Sequence, residues 1–138
     1  MALTTAMKND IAAYIAHGTL PAWASDATWY LSLHTASPGV GGSQTTSEAT
    51  FTSYARQPLA RDATGLDVTG AEISNDDLIQ FPKCTGGTSD ATHFGIGRSL
   101  SGAGTLLIFG SLSSTLNIAD QIQAQFAAND IDITVVDA

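Results

Sequence analysis

Charge is the scarcest ingredient of this 138-residue chain, and cationic charge above all. Lys8, Arg56, Arg61, Lys83 and Arg98 are its five basic side chains, against thirteen acidic ones, for a net charge of -8. They are scattered, so no basic patch can neutralise a row of phosphates, which excludes nucleic acid as a partner. An anionic membrane surface would likewise repel the chain. Charged residues make up 13% of the sequence, roughly half of the ~25% common in soluble proteins. Thr, Ser, Gly and Ala take their place. An uncharged polar surface of this kind suits permanent assembly better than transient ionic encounters. The acidity fits a partner that presents basic groups, and fits simple solubility equally well.

Cysteine is nearly absent. Cys84 alone excludes an internal disulfide and any zinc site built on paired cysteines. Its neighbours Pro82 and Gly86 suggest a turn, and it reads as a free structural thiol rather than a nucleophile. Long apolar runs are missing too. The longest, Leu106 to Phe109, is far too short to span a bilayer. The opening MALTTAMKND has no basic segment followed by an apolar stretch, so no signal peptide is expected. The protein is expected to be made in the cytoplasm and to stay soluble.

Hydrophobic residues are nevertheless 43% of the chain, enough for an ordinary core in one domain of this length. Leu3, Met7, Ile11, Tyr14 and Ile15 recur at helical spacing, predicting an amphipathic helix over about 3–17 that Gly18 and Pro21 end. From Ala27 the period becomes two. Trp29, Leu31 and Leu33 alternate with Tyr30, Ser32 and His34 in a strand. The polar, glycine-rich stretch from Ser37 to Thr50 reads as a long exposed loop with little to bury, a candidate contact arm. Further strands are predicted at Tyr54–Leu59, Leu78–Phe81, Thr92–Ser99, Thr105–Ser111, Gln121–Phe126 and Ile131–Val135, with Asp62–Gly70 turn-like. Pro58 places its strand at an edge or end. Gly95 and Gly97 share one face of theirs, which predicts close approach of another backbone or a large side chain. One helix followed by seven or eight short strands predicts a mainly β fold, a jelly-roll-like sandwich forming a single domain over 1–138.

Patterns that carry chemistry are missing. His17, His34 and His93 sit in no metal-ligand spacing. Ser89, Asp90 and His93 hold the residue types of a hydrolase triad, but neighbours in one segment rarely achieve its geometry. Asp76 and Asp77 are consecutive and point apart, so they read as solvated turn acids and not as a glycosidase pair. No phosphate loop occurs among the glycines. The expectation is a non-enzymatic protein with no catalytic, cofactor-binding or metal-binding residues and no cofactor.

Three segments acquire meaning together: TWYLSLHTASPG (Thr28 to Gly39), SYARQPLA (Ser53 to Ala60) and THFGIGRSLSGAGTLLIFGSL (Thr92 to Leu112). With the leading helix, Phe81-Pro82 and the final IDITV, their order resembles a group of small tailed-bacteriophage virion proteins often labelled tail fibre proteins. The resemblance covers nearly the whole chain. In size and pattern the chain is also similar to the jelly-roll cement proteins that dimerise on the heads of some podoviruses.

The resemblance implies a structural virion component. The leading expectation is a capsid decoration, or cement, protein on the outside of the head. Its partners would be the major capsid protein and a second copy of itself in a homodimer. The alternative is a tail or fibre-associated subunit contacting host surface sugars, with Trp23, Trp29 and Tyr30 able to stack on a ring if exposed. Pro38, Gly39, Thr45, Phe51 and Tyr54 are the expected interface residues. Phe51, an aromatic in a polar stretch, either contacts a partner or anchors its loop to the core. On the first of these, Phe51→Ala would weaken particle association and leave the chain folded.

Overall fold

The computed structural model describes residues 1–135. In chain order these form strand β1 (Ala2–Leu3), helix α1 (Thr5–His17), a 3-10 turn (Ala22–Ser25), β2 (Thr28–His34), β3 (Gln57–Ala60), β4 (Leu66–Thr69) and β5 (Glu72–Asn75). They continue with β6 (Ile79–Gln80), β7 (Ser89–Gly97), β8 (Leu106–Ile118), β9 (Gln125–Phe126) and β10 (Asp132–Thr134). Among the described residues every strand pair is antiparallel. The result is a mainly β, sandwich-like fold with one N-terminal helix.

The main sheet runs β1-β8-β7-β2-β3. Opposed residues in an antiparallel register share a face, so Trp29, Leu31 and Leu33 lie with Leu59, Ile96, Phe94 and Ile108. All seven are buried. The small β10-β5-β4 sheet and the β6-β9 pair add Ile79, Phe126 and Ile133 to the core. Pro58 sits in β3, which is an edge strand, where a missing N–H costs no ladder bond.

Several elements differ from the sequence pattern: β8 runs on to Ile118, past the expected end at Ser111, β7 starts at Ser89 rather than Thr92, and β3 starts at Gln57 rather than Tyr54. Leu3 belongs to β1 and not to the helix, which starts after Thr4. The Thr4 hydroxyl caps it, accepting from the Met7 N–H at 3.4 Å and donating to the Leu106 carbonyl at 2.7 Å. Gly18, left-handed at φ 66°, closes it. Only the first half of the stripe is covered: Met7 is buried, whereas Tyr14 and Ile15 are exposed. Asp62–Gly70, which reads as a turn, contains β4, half of a hairpin closed at Gly70-Ala71. The Gln121–Phe126 strand shrinks to β9, because Gln121 adopts φ 70° and Ile122 turns back to bond Ala119.

Candidate interaction site

The polar face of β2 would be wet in an ordinary edge-on sandwich, yet Ser32 and His34 are fully buried. The reason is the segment after β2. Instead of hanging free, it folds back, with Thr35 bonding Ser47 and Ala49 bonding Leu33. That lays Gln44 over the sheet. Gly97 is required beneath it, since a methyl there would overlap the Gln44 side chain. A methyl at Gly95 would stand 2.6 Å from His34 Nε2. The close approach expected from the glycine face is therefore made by two large side chains.

Gln44 also joins this segment to the β7–β8 connection. Its amide donates to the Ser99 carbonyl at 3.0 Å and accepts from the Ser99 N–H at 2.9 Å. Arg56 reinforces the same junction from below. Its guanidinium holds Glu48 through two bonds of 2.6 and 2.8 Å and donates to the carbonyls of Ser99 and Gly102. The Glu48 hydrogen bonds raise the Arg56 pKa further, so the charge is permanent. Tyr54 completes the cluster by accepting from the Leu33 N–H at 3.1 Å and donating to Glu48 at 2.9 Å. Burial, with Glu48 beside it, pushes the phenol above its ordinary pKa and keeps it a donor. Its ring stacks on Phe81, and Phe51 meets it edge-on at 5.3 Å, tying the cluster to the core.

His34 stands at the centre. Nδ1 lies 2.8 Å from the Thr46 carbonyl, which can only accept, so Nδ1 carries the proton and Nε2 accepts from Ser32 Oγ at 2.8 Å. Burial lowers the His34 pKa and favours this neutral form. The arrangement is a buried polar network that fixes two surface loops, residues 35–56 and 98–105, against each other. The exposed side of these loops carries Val40, Thr45, Leu100 and Ser101. Between them is a shallow hollow of about 200 Å³, lined by Glu48, Tyr54, Arg56 and Leu100 among others.

The five expected interface residues separate on this framework. Thr45 is exposed and Gly39 half-buried, while Pro38 is buried. Phe51 is only 3% exposed, and its side chain packs into the core and anchors the loop there. Tyr54 is half-buried, with its hydroxyl committed to the network. The loop expected to bury little thus buries Gln44, Ala49 and Phe51. Sequence reasoning missed Gln44, Glu48, Ser99 and Leu100. One signal was present: Glu48 and Arg56 are the only charged residues between Thr35 and Ala60.

The other groups considered for chemistry stay apart. The Ser89 hydroxyl accepts from Thr50 N–H, Asp90 accepts from Asn117, and His93 bonds Thr92. Asp76 and Asp77 are exposed. Cys84 is buried, with its thiol 3.2 Å from the Gly86 carbonyl. No group of three or more potential metal ligands occurs among the described residues. Trp29 is buried, and its Nε1 has no hydrogen-bond partner among the described residues. Trp23 is half-buried and bonded to Asp10, and Tyr30 is half-buried, so these three form no open aromatic shelf. No helix among the described residues is long and apolar enough to cross a membrane.

Fold and site together define a small, mainly β protein in which His34, Tyr54, Arg56 and Phe81 tie two surface loops to the core through one buried network. The family comparison names the class more closely. Residues 2–134 match the family model described as podophage GP4 fiber I protein gp80, and the chain belongs to that family. It is a phage structural protein of the virion. No curated protein matches it.

Proposed function

We propose that the chain is a fibre subunit of a podophage virion and docks on its neighbours through the paired loops 35–56 and 98–105. The observation that carries the proposal is the convergence of His34, Tyr54 and Arg56, from the segments that resemble the phage proteins, on one buried network in a member of a podophage fiber protein family. A rigid loop surface loses little entropy on binding, which favours a permanent contact. Low charge and exposed Val40 and Leu100, at 48% and 59%, fit the core of a subunit interface. The competing reading is a cement protein on the head, clamping major capsid subunits as a homodimer.

Immunogold electron microscopy of intact virions tests the location. Gold confined to fibres or their attachment points supports the fibre reading. Gold spread over the head overturns it and favours the cement reading.

A further inference from the structure

The register of β7 with β8 breaks at one point. Ser111 lies opposite His93 and Leu116 opposite Ala91, so residues 112–115 face Thr92 alone and loop out of the strand line. Irregularities of this kind re-aim side chains and recur beside binding sites. Here the loop-out forms one side of a cleft of about 430 Å³, and the turn that leads into β10 forms the other. That turn is firmly held. Buried Asn75 accepts from the Ile131 N–H at 2.8 Å and donates to the Ala127 carbonyl at 2.8 Å. One oxygen of Asp130 accepts from the Ala127 N–H at 2.8 Å, which leaves the other free.

Phe94 and Phe126 close the floor of the cleft at 5% and 7% exposure, so with half-buried Leu112 and Leu116 it offers a ligand only a limited apolar area. Its polar lining is Ser111, Ser113, Ser114, Gln125, Asp130 and Asp132, all of them exposed. Among the described residues no Lys, Arg or His lines it, which disfavours an anionic ligand on a chain of net charge -8. The serine hydroxyls and the Gln125 amide donate as well as accept, whereas the aspartates accept only. A Lys or Arg side chain of a partner only donates, so it would leave the donors of this lining unused. A ligand rich in hydroxyl groups uses both kinds, and its C–H face suits a small apolar floor. The volume falls in the range of about 300–1,000 Å³ usual for small-ligand sites.

We propose that this cleft binds an uncharged saccharide, with sugar hydroxyls donating to Asp132 and to the free oxygen of Asp130, and the ring lying against Leu112 and Leu116. None of the lining residues belongs to loops 35–56 or 98–105, so the site is distinct from the docking surface proposed above. Binding is a property of the free chain, and its failure would leave the virion role untouched. Cell-surface polysaccharide and free oligosaccharides present the same chemistry, and they form separate arms of the test.

NMR titration of the isotope-labelled full chain tests it. The neutral probes are maltose, lactose, cellobiose and chitobiose, the anionic one is digalacturonate, and neutral polysaccharide from the surface of a susceptible host is the second arm. The amides of 111–116 and 125–132 should shift saturably with at least one neutral probe, with a Kd on the order of 1 mM. Digalacturonate should bind at least about tenfold more weakly. A response to the polysaccharide alone supports the site with the cell surface as source, and one to disaccharides alone supports it with free sugar as source. Asp132→Ala and Ser113→Phe change exposed positions, so they should leave the melting temperature unchanged and weaken binding at least about tenfold. Asp120→Ala, outside the cleft, should bind like the wild type. Silence of these amides toward every saccharide would overturn the inference, as would wild-type affinity in both cleft variants or equal binding of digalacturonate. Shifts centred on Trp23 and Tyr30 would overturn it by placing sugar elsewhere. Shifts from a lysine-rich peptide and from no sugar would overturn it by assigning the cleft to a basic protein segment.

Discussion

Arg56 and Glu48, eight residues apart, close the loop between them with a bidentate ion pair whose side chains are 3% and 13% exposed. The pair ties the covering segment at Glu48 to the chain just before β3, while the remaining Arg56 donors reach across to Ser99 and Gly102. A single side chain thus fixes two loops, and its loss strands a carboxylate in a buried site. Arg56→Met is expected to cost about 3–5 kcal/mol of folding stability. Denaturant unfolding of the purified protein checks this, and a cost under about 1 kcal/mol would mean that the pair is solvated.

Gly97 is the position where the covering loop comes closest to the sheet. A methyl there overlaps Gln44, so Gly97→Ala should destabilise by about 1–3 kcal/mol through overpacking. Gln44→Ala in the same chain should remove most of that penalty. Additive costs in the double-mutant cycle would show that the two residues do not touch.

Phe51 acts on the fold itself. Its ring is buried against Tyr54, so Phe51→Ala should cost about 3–5 kcal/mol, and thermal unfolding would register the loss directly. An unchanged melting temperature would return Phe51 to the list of contact residues.

Protonation of His34 opposes the fold. Its native pKa lies below the ordinary value of 6.5, because burial disfavours the charged ring. The unfolded chain therefore binds the proton more readily, and the stabilisation is complete above pH 6.5. It is lost as pH falls below that value towards the native pKa, at up to about 1.4 kcal/mol per pH unit. Asp26, whose pKa is lowered by its hydrogen bond to Arg98, acts in a separate window below 3.8. Unfolding measured at pH 7.5 and 5.5 should show this loss in the wild type and a smaller one in His34→Gln. Equal losses in both would exclude His34 as the cause.

Leu100 separates docking from folding. It is 59% exposed at the tip of the second loop. Leu100→Asp should change stability by no more than about 0.5 kcal/mol. Quantitative mass spectrometry of virions should nevertheless show the variant depleted.

Periodicity carried much of the architecture. The alternation in Thr28–His34, the apolar run of β8 and the edge position of Pro58 follow from side-chain spacing and a missing N–H. The β4–β5 hairpin was not legible because its β4 residues are mostly exposed, leaving no apolar alternation to detect. The site was half legible. His34, Tyr54, Arg56 and Phe81 stand in the segments that carry the family resemblance, but the partners that explain them, Gln44, Glu48 and Ser99, are polar residues in loops. Only the return of the chain over β2 buries them, and spacing does not encode that return.

Cryo-electron microscopy of the purified virion would locate the chain and its contacts together. Density for this chain is expected in the fibres, with loops 35–56 and 98–105 buried against neighbouring subunits. Density repeated over the icosahedral shell, or fibre density in which both loops face solvent, would contradict it.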